Sequence, residues 1–352
     1  MCDGYKPPFT MTEAITNLVI EIGEFVGRIT AHDELLINPR LRRENRIKTI
    51  YSSLAIEQNT MSLEQVSDVL DGKRVLAPPQ DIREVKNAYE AYEELQKMNP
   101  YSIKDLLKAH KFMMNGLVSE AGTFRSKGVG VYAGEQLIHA GTPPQYVPEL
   151  MKELFDWLKT SKLHPLVKSC MFHYEFEFIH PFADGNGRTG RLWHSLILQK
   201  WKPFFAWLPV ETLIYENQME YYRVLNQSNT DGESTVFVEF MLQMIRDSLY
   251  EIVKNQEDKQ RKNDGINDGV NDGINDGVNK KDLDTESKIL LLLQKNPHVT
   301  AQSLASTLGK SKRQVERILS NLKSEGKLER VGASKNGCWK VIDDYKDGEL
   351  ND

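Results

Sequence analysis

One continuous run of the chain concentrates side chains that could do chemistry on a phosphate: His180-Pro-Phe-Ala-Asp-Gly-Asn-Gly-Arg-Thr-Gly-Arg191. Histidine titrates near neutral pH, so His180 could accept a proton from an attacking hydroxyl. Asp184 offers a hard carboxylate oxygen, suited to Mg²⁺ that is held mainly by phosphates. Arg188 and Arg191 are three residues apart, so on a helix they would share one face and could grip phosphate oxygens. The set is typical of phosphoryl-type transfer, which needs positioning, charge neutralisation and a base.

The backbone of the same run is also suited to phosphate. The segment Gly185-Asn186-Gly187 predicts a loop whose successive N–H groups converge on an anion, because glycine tolerates the dihedral angles required. A helix is predicted to begin at Arg188 and run to Lys200, with its positive N-terminal end at the loop. Each residue alone has an ordinary explanation, such as a turn or a solvated arginine, so the prediction depends on the combination.

The run from His180 to Arg191 fits the pattern HxFx(D/E)GNGRxxR at every specified position, and it therefore resembles the signature of the Fic family. The resemblance covers roughly Asn99 to Gln243. It implies that His180 deprotonates a Ser, Thr or Tyr hydroxyl, which attacks the α-phosphate of ATP, so that AMP is transferred and pyrophosphate leaves. It also implies Asp184 as the ligand of Mg²⁺ (or Mn²⁺) and Phe182 as a core anchor.

The same resemblance implies which residues bind the nucleotide. The loop is expected to cradle the phosphates, and the two arginines are expected to hold the β- and γ-phosphates. Tyr222 is expected to stack on or hydrogen-bond the adenine, and Asn229 to read its edge, with a helical core pair of Tyr221 and Tyr222 as the alternative. The nucleotide-binding set is Gly185, Asn186, Gly187, Arg188, Thr189, Gly190, Arg191, Tyr222 and Asn229.

Upstream of the run, Ser53 and Glu57 match the inhibitory pattern (S/T)xxxE(G/N) of many Fic proteins. In that class the glutamate pairs with the second motif arginine, here Arg191, and takes the place of the γ-phosphate, because a carboxylate can replace a phosphate beside a guanidinium. Gln58 stands where the pattern has Gly or Asn, which puts the end of the predicted helix in question. The alternatives are an exposed helical glutamate and a glutamate that supports the reverse reaction, removal of AMP.

The elements that position these residues are predicted to be mainly α-helical. Apolar residues recur at three- and four-residue spacing from about Thr12 to Trp201, and further helices are predicted to about Lys254. Alternation within 129–148 predicts a short β-hairpin, the flap. By the Fic resemblance, the flap would align a target segment by strand addition. The expected contact positions are Ile138, His139 and Ala140. The fold class is therefore a Fic-type helical bundle with a β-hairpin flap.

The C-terminal part predicts a second, smaller domain. Residues 263–279 repeat Asn-Asp-Gly-Ile/Val four times, a composition typical of a flexible linker, with a self-associating or ion-binding tract as the alternative. Over 281–342 the predicted order is three helices (287–295, 300–308 and 311–324) and a two-stranded wing. That order resembles the winged helix-turn-helix family.

Charge indicates a nucleic-acid partner for this domain. From Lys280 to Ile342 there are 13 Lys/Arg and 6 Asp/Glu, whereas the whole chain has a net charge of −5. The predicted third helix carries the basic residues Lys310, Lys312, Arg313, Arg317 and Lys323. This pattern predicts duplex DNA binding by residues 281–342, with a dimerisation or partner-docking module as the alternative.

Other metal or disulfide chemistry is not indicated. Cys2, Cys170 and Cys338 are far apart, which argues against a disulfide framework and favours a reducing compartment. His173 and His194 are interpreted as packed or surface histidines, because no third ligand with metal spacing accompanies them. No secretory signal or membrane-length apolar run is apparent, so a cytoplasmic protein without a membrane partner is expected.

The predicted order of domains is an N-terminal helical region with the inhibitory helix (1–98), a catalytic domain (99–250), a linker (251–280), a winged helix (281–342) and an acidic tail (343–352). The first functional hypothesis is an autoinhibited protein adenylyltransferase that modifies a target protein or itself, with a homodimer among the expected partners. The second is a DNA-binding regulator whose Fic domain only senses a nucleotide. A third is a Fic enzyme with another donor, such as UTP or a phosphocholine carrier.

Overall fold

The computed structural model describes residues 5–32, 38–128, 130–133, 136–140 and 142–264, together with residues 286, 289, 290, 293, 304, 312–324, 326–331 and 338–341. The chain divides into two compact units, 1–269 and 270–352. The described helices of the first unit are α1 (Glu13–His32), α2 (Pro39–Ile56), α3 (Leu63–Leu70), α4 (Pro79–Leu95), α5 (Ile103–Met113), α6 (Val147–Thr160), α7 (Pro165–Ile179), α8 (Asn186–Trp201), α9 (Val210–Glu216), α10 (Gln218–Asp231) and α11 (Thr235–Asp264), with 3-10 turns at Pro144–Tyr146 and Pro203–Trp207.

Helices α7 and α8 form the centre of the first unit. Residues on every side of α7 are buried, among them Phe172 and Phe176, as expected for a helix enclosed by other helices. Helix α8 packs beside it and is buried from Arg188 to Leu198. Because α7 ends at Ile179 and α8 begins at Asn186, the loop between them is held at the ends of two buried helices.

Helix α7 ends in a left-handed residue that is not glycine. His180 has φ 53° and ψ 62°, and its N–H donates to the carbonyl of Phe176 at 2.9 Å. Pro181 follows and cannot continue the helix. Left-handed backbone costs an L-residue about 1–2 kcal/mol, and such strain is found most often at functional sites.

Helix α2 also ends in a left-handed residue that is not glycine, Gln58. Gln58 is the residue that departs from the inhibitory pattern, which had put the end of the predicted helix in question. Gln58 has φ 68°, its N–H donates to the carbonyl of Ala55 at 3.0 Å, and the N–H of Asn59 donates to that of Leu54 at 3.1 Å. These two bonds are a Schellman motif, which usually has glycine at the left-handed position. A glutamine therefore terminates this helix as a glycine would, with local strain.

We expect Gln58→Gly to stabilise the protein by up to about 1 kcal/mol, because glycine adopts φ > 0 without strain but adds entropy to the unfolded chain. Chemical denaturation measures the change in the free energy of unfolding. Gln58→Ala is the matched control, since it removes the same polar group but keeps the Cβ atom that causes the strain. If Gln58→Ala stabilised the protein as much as Gln58→Gly, the gain could not come from relief of backbone strain at residue 58.

The predicted hairpin is present as β1 (Gly130–Ala133) and β2 (Gln136–Ala140). The strands are antiparallel, with Val131 opposite His139 and Tyr132 opposite Leu137. Ile138 falls between these two pairs, at an irregularity of the register that is typical of a β-bulge. The predicted contact residues Ile138, His139 and Ala140 therefore all belong to β2.

Helix α11 corrects one predicted boundary. It continues to Asp264, so residues 251–264, which were assigned to the linker, are helical. The reason is that 251–262 carries no glycine or proline, and the repeat begins only at Asn263. Residues 265–280 lie outside the described residues. Within the described part of the chain, no helix is both long enough and apolar enough to cross a membrane.

The described part of the second unit consists of α12 (Lys312–Ser324), β3 (Leu328–Val331) and β4 (Cys338–Val341). The strands pair antiparallel, with Leu328 opposite Val341, and they match the predicted wing. A small core is formed by Ile289, Leu293, Leu304, Val315, Leu319, Leu322 and Leu328. The predicted helices over 287–295 and 300–308, the basic residue Lys310 and the acidic tail lie mostly or wholly outside the described residues.

Candidate active site

His180 presents one ring nitrogen as a potential base. Its Nδ1 lies 3.4 Å from the backbone oxygen of Glu177. A carbonyl oxygen can only accept a hydrogen bond, so in this contact Nδ1 carries the proton, and in a neutral ring Nε2 is then the nitrogen that can act as a base. The side chain is 21% exposed, which lets a substrate reach it.

The turn at His180 is held by Arg125, which the sequence did not single out. The guanidinium is buried and donates to the backbone oxygens of His180 (2.7 Å), Ile179 (3.3 Å), Lys127 (3.0 Å) and Thr142 (2.5 Å). Lys127 and Thr142 flank the flap, so one side chain links both flap ends to the backbone of His180. No local pattern marks this arginine, because its backbone partners lie up to 55 residues away.

The loop before α8 is closed by Asn186. Its side-chain oxygen accepts from the N–H of Phe182 at 2.8 Å, and its amide nitrogen donates to the carbonyl of Phe182 at 2.9 Å. The Asn186 side chain is therefore committed to the loop, and only its backbone N–H could meet a phosphate. Gly185 has φ 81°, and a Cβ atom there would lie 2.5 Å from the sulfur of Met114. Phe182 is fully buried, as expected of an anchor.

His110 supports the same loop and was also missed from the sequence. Its ring stacks on Phe182 with centroids 3.6 Å apart. Its Nδ1 accepts from the N–H of Gly122 at 2.9 Å, so Nε2 carries the proton donated to the carbonyl of Asp184 at 3.0 Å. Burial lowers the pKa of His110 to about 4, so it stays neutral. It positions the loop that carries Asp184.

Asp184 and Arg188 are joined in this structure. Arg188 donates to Oδ1 of Asp184 at 2.9 Å and lies 3.3 Å from Oε1 of Glu84 on α4. Its side chain is 6% exposed. Arg188 therefore orients the Asp184 carboxylate, and it would have to redistribute these contacts to hold phosphate oxygens as well.

Arg191 is occupied by the residues that the inhibitory pattern predicted. Its guanidinium donates to Oε1 of Glu57 at 2.8 Å, to the hydroxyl of Ser53 at 3.1 Å and to the Ser53 carbonyl at 2.9 Å. Arg191 is 2% exposed, and Glu57 is the C-cap of α2. A Cβ atom on Gly187 would lie 2.3 Å from Oε1 of Glu57, so Gly187 leaves the space that the carboxylate fills.

A third acidic group, Glu177, lies beside this pair. Its carboxylate oxygens lie 3.9 Å from Nε2 of His173 and 4.0 Å from Nδ1 of His180. Burial raises the pKa of Glu177 to about 8, an effect that Arg191 opposes and Glu57 reinforces. Burial therefore favours the neutral form of Glu177, and Glu57 is the carboxylate that accepts a hydrogen bond from Arg191.

The remaining predicted residues separate into packed and accessible groups. Thr189 is fully buried, and a Cβ atom on Gly190 would lie 2.7 Å from Oε1 of Glu177, so Gly190 lies where α8 packs on α7. Tyr222 is 47% exposed, and its hydroxyl interacts electrostatically with Glu57 and Arg191. Asn229 lies two turns further along α10. Its buried Oδ1 has no hydrogen-bond partner among the described residues, so a ligand N–H could satisfy it.

The other residues of this region are structural. Tyr221 is buried, and its hydroxyl lies 3.2 Å from Nε2 of His173. His173 and His194 are buried, the packed one of the two interpretations that the sequence left open. Burial lowers the pKa of His194 to about 4 and holds the pKa of His173 well below its usual value.

The residues present fit a magnesium ion held jointly with phosphates. The Asp184 side chain is 57% exposed, and the bonds it accepts from Gly185 and Arg188 both use Oδ1. No cluster of three or more His, Cys, Asp or Glu that could hold a metal occurs in the part of the chain that the structure describes. One hard carboxylate oxygen completed by phosphate oxygens and water is the donor set that Mg²⁺ accepts with nucleotides.

Comparison with known proteins identifies a family for the region that contains the signature. The model of the Fic/DOC family matches residues 100–198. A solved Fic family protein from Desulfovibrio desulfuricans is 44% identical to this chain, and the alignment covers 97% of this chain and 100% of that one with a TM-score of 0.70. This chain belongs to the Fic family. The alignment with the solved Fic family protein extends well beyond the signature, over 97% of this chain.

Curated relatives of this Fic protein are more distant and longer. Protein adenylyltransferase fic-1 of Caenorhabditis elegans is 32% identical over 215 residues, which are 57% of this chain and 40% of that protein. Protein adenylyltransferase Fic of Nematostella vectensis is 31% identical over 214 residues. The chain thus spans less than half the length of these curated relatives. The solved Fic-1 (residues 134–508) from C. elegans aligns at 26% identity with a TM-score of 0.58.

Outside the Fic region, a winged helix-turn-helix DNA-binding model matches residues 282–329 of the Fic protein. The match contains α12 and the start of β3. The match confirms a winged helix-turn-helix domain in this part of the chain, and its predicted bounds, 281–342, stay a prediction.

Proposed function

We propose that this Fic protein is a nucleotidyltransferase that transfers AMP from ATP to a Ser, Thr or Tyr hydroxyl of a target protein or of itself, and that Glu57 inhibits it. The observation that carries the proposal is that Arg191, the last residue of the run that also holds His180 and Asp184, donates to the carboxylate of Glu57 at 2.8 Å. The adenylyltransferase names of the curated relatives support AMP as the transferred group.

The chain's own residues account for the proton and the charges of this reaction. Nε2 of His180 takes the proton of the target hydroxyl, and the contact of Nδ1 with the Glu177 carbonyl keeps the ring in that tautomer. The hydroxyl oxygen forms a bond to the α-phosphorus, and the bond from that phosphorus to the bridging oxygen breaks as pyrophosphate leaves. Mg²⁺ at Asp184 would neutralise phosphate charge, and Arg191 would hold the terminal phosphate once Glu57 has left.

The position of a label in ATP tests the transferred group. Incubation of the protein with Mg²⁺ and ATP labelled at the α-phosphate should label protein, whereas ATP labelled at the γ-phosphate should not. Transfer of the γ-label would show phosphorylation instead. Release of α-label from a previously labelled protein, without ATP, would favour the AMP-removal reaction.

We further propose that the second unit binds duplex DNA. The α12 side chains of Lys312, Arg313, Arg317 and Lys323 are exposed, and the match to a winged helix-turn-helix DNA-binding model supports a role in phosphate contact. Because Lys312 pairs with Glu316 at 3.7 Å, substitution of Arg313 and Arg317 tests the proposed DNA interface more directly.

We expect the full chain to bind duplex DNA with an affinity that falls steeply as salt rises, because phosphate contacts release counterions. The double substitution Arg313→Ala with Arg317→Ala should weaken binding to all sequences and reduce the salt slope by about 2. Fluorescence anisotropy across a salt series measures this, with Arg223→Ala on α10 as the control. A slope that the double substitution leaves unchanged would contradict the proposed interface.

A further inference from the structure

A cavity of about 260 Å³ lies on the N-terminal half of α2 and shares no lining residue with the candidate active site. Three arginines of α2 line it, Arg42, Arg43 and Arg46, together with the aromatic rings of Tyr89 and Trp207. Three cations on one cavity of this size are unusual for a surface that serves packing alone, because like charges repel.

Arg46 is the most constrained of these cations. It is 5% exposed, and its guanidinium carbon lies 4.7 Å from the ring centroid of Trp207 and 4.8 Å from that of Tyr92. Its Nε is buried without a hydrogen-bond partner among the described residues. The carboxylate that pairs with it, Oε1 of Glu93, is 3.7 Å from Nε, too far for a hydrogen bond. Burial accordingly lowers the pKa of Arg46.

The other charges of the cavity leave it electropositive. Arg43 pairs with Asp71, so its charge is already balanced. Arg42 is half-buried with its guanidinium 5.3 Å from the centroid of Trp207, an interaction that supplies no countercharge. Glu93 is 45% exposed and is the acidic residue of the lining. The lining therefore holds the guanidinium groups of Arg42 and Arg46 and one partly solvated carboxylate, that of Glu93. The buried Glu211, outside the lining, also acts electrostatically on Arg46.

We propose that this cavity binds the phosphate group of a small anionic ligand, with Arg42 and Arg46 as its hydrogen-bond donors. Planar guanidinium groups match phosphate oxygens, and a phosphate would supply the acceptor that Nε of Arg46 lacks. The volume excludes large ligands and fits an inorganic phosphate, a pyrophosphate or a small phosphate ester.

The cavity lies along the same helix, α2, whose C-terminal end carries Glu57. Arg46 and Ser53 are seven residues apart, two turns of the same helix, and the side chain of Asn45 donates to the carbonyl of Trp207 at 2.9 Å. A ligand between α2 and the 3-10 turn at Pro203–Trp207 would stabilise α2 in the position where Glu57 holds Arg191. This regulatory consequence depends on the proposed function, whereas ligand binding itself does not.

Titration calorimetry of the full chain with pyrophosphate, orthophosphate and AMP in separate arms tests the site. We expect the best of these probes to bind the wild type, and Arg46→Met or Arg42→Gln to weaken its binding tenfold or more, as loss of a charged hydrogen bond would. Arg42 is half-buried, so its substitution remains informative if Arg46→Met fails to fold. Glu93→Gln should strengthen binding, because it removes a repelling carboxylate.

Two controls separate this cavity from the candidate active site. Arg40→Gln lies on the same helix with an 89% exposed side chain and should bind like the wild type. Arg191→Ala should also retain binding at the cavity. Binding lost only in Arg191→Ala, binding unaffected by all the cavity substitutions, or no binding by any probe would each overturn the proposal. None of these measurements uses transferase activity, so failure of the AMP-transfer proposal would be seen separately.

Discussion

Replacing Glu57 with glycine should raise AMP transfer by about ten- to a hundredfold, which corresponds to the 1.5–3 kcal/mol of a charge-assisted hydrogen bond. The Glu57 carboxylate accepts from Arg191 at 2.8 Å in a site where the arginine is 2% exposed. In the proposed reaction, the terminal phosphate of ATP has to displace this carboxylate. Glycine removes this competitor. The backbone should tolerate the change, because residue 57 is a helix C-cap outside the regular helix.

The measurement is the rate of α-label incorporation at saturating Mg²⁺. Glu57→Gln keeps the size of the side chain without its charge, so it should raise the labelling rate above that of the wild type but less than Glu57→Gly does. The matched control is Glu64→Gln on α3, an exposed glutamate near the start of that helix. Equal labelling by the wild type and Glu57→Gly would remove the inhibitory assignment while leaving the transfer reaction intact.

Replacing His180 with alanine, in the Glu57→Gly background so that activity is measurable, should lower kcat by about 10²–10⁴, the usual contribution of a general base. ATP affinity should change little, because the loop between α7 and α8 is held by contacts from His110, Asn186 and Arg125 and not by the His180 side chain. The rate at saturating ATP and the binding constant of ATP together separate loss of the base from loss of the site.

The left-handed backbone at His180 makes a second substitution necessary. Alanine at φ 53° adds strain, whereas asparagine tolerates this conformation and has no basic nitrogen. We therefore expect His180→Asn to be as inactive as His180→Ala but more stable to heat. Substantial activity in His180→Asn would contradict the role of His180 as a base.

The local architecture of the site could be predicted because its residues are contiguous or regularly spaced. The run from His180 to Arg191 contains the potential base, the carboxylate and the start of a helix, and the structure has them in that order. The helix begins at Asn186, two residues before the predicted start at Arg188, so Asn186 and Gly187 belong to its first turn and not to the loop. The alternation that predicted a hairpin is also found in β1 and β2. Short-range patterns of this kind reflect local backbone preferences, which a sequence displays directly.

The residues that were missed act over long sequence separations. His110 reaches the Asp184 carbonyl across 74 residues, and Arg125 reaches His180 across 55. Each looks ordinary within its own helix or loop, because a buried side chain that satisfies distant backbone oxygens has no local signature. Asn186 shows the converse, since its place in the motif suggested phosphate contact but its side chain closes the loop on Phe182.

By itself, the sequence determined the chemical groups, the Fic signature, the helical class and the winged helix that follows. The inhibitory pattern predicted the pairing of Glu57 with Arg191, but only the tertiary structure showed that Ser53 also accepts from Arg191 and that Arg188 contacts Asp184 and Glu84. It also showed that Glu177 is largely buried near this pair, where desolvation favours its neutral form. The physical reason is that charge balance in a buried site depends on distances and desolvation, which the packing of α2, α4, α7 and α8 sets.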